Sequence, residues 1–285
     1  MVTTELVLVS GKGGTGKSAV TAALAIERAR RGQTVLAIDL GSGLGLGAHL
    51  RSTHLTYEPT QVIPGLWAMT MVRAAALDEY LKTQLHVPTG APTKTLTSAL
   101  NVLVDTAPGI REIISIGKPA FEVWKNSWDA VLVDTPSLGQ FQSYLRAPTT
   151  IADLVPTGNV KRQAASIAGV LTDPDTTQVV LVANPAELPV LETVEAIATM
   201  SDEQLCPPPH IIMNRLVDRA TFSDGDLQGV TDGPLRQAAE HQLSVEDEHY
   251  RWLVELGASS TLPYLRGVLT PGEVAFQLAD ALERP

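Results

Sequence analysis

Residues 5–32 constrain this chain more than any other stretch. They read ELVLVS, then GKGGTGKS, then AVTAALAIERARR closed by Gly32. The β-branched apolar run predicts a strand, and the run ended by glycine predicts a helix. Between them, residues 11–18 fit G-x-x-x-x-G-K-[ST] in the strand-to-helix setting that this motif demands. Glycines let successive backbone N–H groups point inward as an anion nest, and the helix N-terminus adds partial positive charge. The turn is therefore expected to cradle the phosphates of ATP, with Lys17 reaching the β- and γ-phosphates and Ser18 ligating Mg²⁺. The expected binding set is Gly11, Gly13, Gly14, Thr15, Gly16, Lys17, Ser18 and Ala19.

Further strand-like runs cover 34–39, 66–72, 130–134, 178–183 and 210–214, with helical patterns between most of them. Near-continuous apolar strands alternating with helices predict an α/β fold, a mainly parallel sheet with helices on both faces. Residues 74–127 carry little strand signal. Helices are expected at 74–86, 95–105, 110–117 and 120–127, forming a helical insert in one domain spanning 1–285. Two more helices are expected within 231–257 and 270–282. Two strands end in a carboxylate, Asp39 and Asp134, where open α/β sheets bind ligands. Both are candidate Mg²⁺ ligands. Asp134, reached through four apolar residues, is the better Walker B candidate.

The net charge of −10 argues against nucleic acid as a main partner, which needs a basic footprint, and leaves room for one local basic pocket around a nucleotide. The single cysteine, Cys206, excludes an intrachain disulfide and a cysteine-based metal site within one chain. No signal-peptide pattern precedes the first strand and no apolar run approaches a membrane span, so the expectation is a cytoplasmic protein without membrane insertion.

With Lys12 as well as Lys17, the turn resembles the deviant P-loop with a signature lysine. That loop is shared by arsenite-pump ATPases, tail-anchored-protein-targeting ATPases, division-site and partition ATPases, and the nitrogenase iron protein. VDTPSLGQFQSYLRAP (133–148) and ANPAELPVLETVEAI (183–197) resemble the arsenite-pump and tail-anchor branch. So do IIMNRL (211–216) and LPYLRG (262–267). APGIREIISIGK (107–118) resembles its actinobacterial members. The resemblance implies a dimer, with itself or with a paralogous ATPase, working as a nucleotide-driven switch for a protein client or a transport partner. It also implies that Lys12 reaches the partner's nucleotide in trans; the bland alternative is a loop charge. Asn214 and Pro263 would contact the adenine, although Asn214 also suits a strand-end turn.

Two departures from the family matter. Aligned from Asp39, a second acid of the family falls on Gly41, its histidine on Leu44, and its water-orienting acid on or near Ala48. Gln140 stands where the family has His in the next motif. An intact binding loop beside a depleted switch implies slow hydrolysis, or hydrolysis left to a partner; the alternative is that another acid, such as Asp39, substitutes and activity is ordinary. The alternative function is a non-catalytic nucleotide-binding subunit that regulates a paralogue. A division-site or partition ATPase fits less well, because the C-terminal segment is acidic. The glycines at 41, 43, 45 and 47 are expected to form a mobile loop.

Overall fold

The computed structural model describes residues 4–41, 44–52, 54–84, 109–219, 222, 225–231 and 233–283. Strands β1 (Glu5–Gly11), β2 (Val35–Asp39), β3 (Thr60–Ile63) and β4 (Leu66–Thr70) precede β5 (Ala130–Asp134), β6 (Thr177–Ala183), β7 (His210–Leu216) and β8 (Ser260–Pro263). They form one sheet in the order β3-β4-β2-β5-β1-β6-β7-β8, parallel except for β3, which runs antiparallel to β4. The strand carrying the phosphate-type turn is therefore interior, between β5 and β6.

Alternation along the strands splits the core in two. Leu6, Leu8, Leu36, Ile38, Val131, Val133, Val179 and Leu181 face one side. There they meet helices α4 (Ile110–Lys125), α5 (Leu138–Leu154), α6 (Asn159–Thr172) and α7 (Glu187–Asp202). Val7, Val9, Val35, Ala37, Leu132, Val180 and Val182 face the other, against α1 (Lys17–Arg30) and α9 (Pro271–Leu282). Each fully buried aliphatic side chain contributes roughly 1.5–3 kcal/mol of transfer free energy. Strands buried on both faces read as unbroken apolar runs, and these runs did. A third cluster seats α8 (Gly233–Leu256) on β7 through Trp252 and Leu256.

Several expectations need correction. The glycine-rich run is not a loop throughout: α2 (Leu44–His49) is helical, with Leu46 fully buried in the core beside α1 and α9. Residues 110–127 do not form two helices. α4 is continuous despite Pro119, since Ile116, Ala120 and Val123 all bury against the sheet, and that packing outweighs the lost backbone bond. α3 (Arg73–Gln84) matches the first insert helix, while 95–105 lies outside the described residues. β3 and β8 had no sequence expectation.

Candidate functional site

At the end of β1 the chain turns sharply and enters α1. Gly11 cannot carry a side chain there, because a Cβ would lie 2.2 Å from the Val182 carbonyl oxygen on β6. Gly16 caps α1 at φ 94°, ψ 23°, a left-handed conformation, and among the described residues no side chain caps the helix. The first-turn N–H groups of α1 are thus left for an external acceptor. Gly13 and Gly14 are exposed and Thr15 is buried. Ala19 packs its methyl into the core, so only its backbone can serve a ligand.

The turn is braced from within and from β7. The Lys12 carbonyl accepts from Thr15 N (3.3 Å), Thr15 Oγ1 (2.9 Å) and Lys17 Nζ (3.3 Å). Asn214 is buried, donates Nδ2 to the Thr15 carbonyl at 2.8 Å, and accepts from Arg215 N at 3.0 Å. A Cβ on Gly16 would come within 2.5 Å of the same Nδ2. Asn214 therefore has a bracing role that its sequence position did not reveal. Pro263 ends β8, paired with Leu216 of β7. The Lys12 ammonium pairs with Glu192 on α7.

Asp39 and Asp134 are register partners at the ends of β2 and β5, both buried. Asp39 Oδ1 accepts from Gly41 N at 2.5 Å. Burial pushes the Asp134 carboxyl up to about 7, with the Ser18 hydrogen bond opposing, Asp39's charge adding, and Lys17 opposing. Burial likewise lowers the Lys17 ammonium, with Asp134's charge opposing. α2 closes over this corner: a Cβ on Gly45 would lie 2.8 Å from Ser18 Oγ. Two buried carboxylates and a hydroxyl are what Mg²⁺ binding through few protein ligands, phosphate oxygens and water requires. Among the described residues no group of three or more His, Cys, Asp or Glu side chains forms a fuller metal cage.

The Asp134 shift has a testable sign. In the folded chain this carboxyl keeps its proton up to about pH 7, whereas its ordinary value is 3.8. Between those values the folded state binds more protons, so stability falls as pH rises, and the loss is complete above 7. Asp134→Asn stays neutral throughout. Its stability relative to wild type, without nucleotide or metal, should rise by about 2 kcal/mol from pH 5 to pH 8. Urea unfolding at the two pH values measures this; a difference that does not change with pH contradicts it.

A parallel sheet whose interior strand runs through GKGGTGKS into an uncapped helix, with carboxylates on neighbouring strand ends, defines an α/β P-loop NTPase. The model of the ArsA-type anion-transporting ATPases matches residues 4–162, more than half of the chain. The chain belongs to that family, as the resemblance implied. ATPase BagA of Mycobacterium tuberculosis H37Rv is 28% identical over 301 residues, covering 99% of this chain and 85% of that protein. The protein Mb3704 of Mycobacterium bovis matches to the same extent. ATPase get3 of Schizosaccharomyces japonicus is 28% identical over 148 residues, covering 51% of this chain and 44% of its own. No described helix is long and apolar enough to cross a membrane.

Proposed function

We propose that this chain is a Mg²⁺-dependent ATP-binding switch whose two-fold or pseudo-two-fold dimer brings two P-loops face to face. The observation that carries this reading is Lys12 and Lys17 on one turn, with Lys17 facing the carboxylate corner and Lys12 at the surface. Lys17, Ser18, Asp39 and Asp134 serve the chain's own nucleotide and metal. Lys12 serves the partner's nucleotide, neutralising phosphoryl charge as an arginine finger does. Asn214 and Pro263 form the adenine side. The reading treats 1–285 as one ATPase domain with a helical insert at about 74–127, consistent with a sheet whose strands run from Glu5 to Pro263. The switch serves a protein client or a transport partner, and the acidic chain disfavours nucleic acid.

Lys12→Ala tests the reading. It should bind ATP like wild type, turn it over more slowly, and associate at least about tenfold more weakly with Mg²⁺ and ATP present, since it loses a charge-assisted bond. Calorimetry and sedimentation separate the two effects. A chain that stays monomeric with ATP at all concentrations, alone and beside a paralogue, removes the dimer.

One observation favours a second reading, a nucleotide-binding subunit that leaves hydrolysis to a paralogue. No acidic residue lies between Asp39 and Glu58.

A further inference from the structure

Lys12 is held at both ends. Its carbonyl accepts from Thr15 N, Thr15 Oγ1 and Lys17 Nζ, so its backbone is anchored in the turn. Its ammonium pairs with Glu192, a residue of α7 that lies 180 positions further along the chain. The two side chains are 28% and 45% exposed, so the pair is reversible rather than part of the core. With the backbone fixed, only the lysine side chain can swing. An ammonium is a compact point charge and cannot hold a carboxylate of its own chain while fully serving a phosphate across an interface.

We infer that Glu192 is a positioning residue: a carboxylate in cis that competes with the partner's nucleotide for Lys12. The inference rests on the dimer reading above. Glu192 keeps Lys12 turned toward its own α7, and association requires the exchange of this anion for phosphate. Lys12 thereby becomes a switch element whose setting is biased by α7. Glu192 lowers the affinity between subunits and so raises the nucleotide occupancy needed to close the dimer.

The experiment is a double-mutant cycle on the full chain with Mg²⁺ and a non-hydrolysable ATP analogue, reading association by sedimentation equilibrium. Beside it, the acylation rate of the Lys12 amine is read by mass spectrometry without nucleotide. Glu192→Gln removes one exposed ion pair per subunit. It should tighten dimerisation about 2- to 30-fold and speed Lys12 acylation about 2- to 5-fold. Glu195→Gln removes the same charge from the same helix and should do neither. In a Lys12→Ala background, Glu192→Gln should leave association unchanged. Weaker association of Glu192→Gln, an equal gain from Glu195→Gln, or a gain that persists without Lys12 overturns the inference and leaves the dimer standing. Unchanged acylation overturns it too. Absence of nucleotide-dependent association, alone or with a paralogue, removes the dimer and this inference together.

Discussion

Lys17→Ala is expected to abolish measurable Mg-ATP binding, by about 10²-fold or more, while the protein stays folded. Its ammonium lies in a partly buried corner, where burial lowers its pKa and Asp134's charge opposes that shift. A cation held there, out of bulk solvent, is worth most to a phosphate, and truncating one partner of such a charge pair typically costs about 2–5 kcal/mol. The fold has little to lose. Lys17 opens α1, its side chain donates to the Lys12 carbonyl at 3.3 Å, a long bond, and alanine is the better helix former. The variant should therefore melt at or above the wild-type temperature. Calorimetric titration with ATP and Mg²⁺ decides. Affinity within about threefold of wild type, in a folded variant, would show that residues 11–18 are not the phosphate site.

What the sequence made legible follows the range of the forces involved. β1, β2, β5 and β6 were readable because burial on both faces leaves unbroken apolar runs, and the turn was readable because its conformation needs glycine locally. Asp39 and Asp134 could each be placed at a strand end. That they are neighbours depends on strand order, which sets β2 beside β5. α2 was missed because glycines make poor helices in isolation. It forms because Leu46 fills the core beside α1 and α9, and because Gly45 and Gly47 let it approach Ser18 and Leu55. β8 was missed because four residues ending in proline give too short a pattern. The brace from Asn214 to Thr15 spans 199 positions, and no local pattern encodes it. Glu192 lies in a stretch that resembles the family, yet only the folded chain brings it to Lys12.

Steady-state ATP turnover is expected to be about 10²–10⁴-fold below that of relatives whose switch acids are intact, because binding and hydrolysis draw on different residues. On the proposed reading, binding draws on the turn, Lys17 and the carboxylate corner, and each is present. Hydrolysis also needs a group that orients the attacking water. By the resemblance the family's acids would fall on Gly41 and on or near Ala48, and in this sequence no acid follows Asp39 until Glu58. α2 presents Leu44 and Ala48 as its exposed side chains, neither able to take a proton or align a water. Gly45 cannot be replaced by a carboxylate without displacing something, since its Cβ position lies 2.8 Å from Ser18 Oγ. Asp39 is the remaining candidate, but it is buried, and its Oδ1 already accepts the Gly41 N–H. A carboxylate engaged with its own backbone and placed beside Asp134 suits a metal better than a water. Turnover of the purified chain, measured at saturating Mg-ATP, should therefore be slow while calorimetry shows full occupancy. Adding a catalytic paralogue should raise the rate per complex without changing this chain's own site. A wild-type rate equal to that of switch-intact relatives, abolished by Asp39→Asn, would establish instead that Asp39 carries out the step and that the lost acids are not missed.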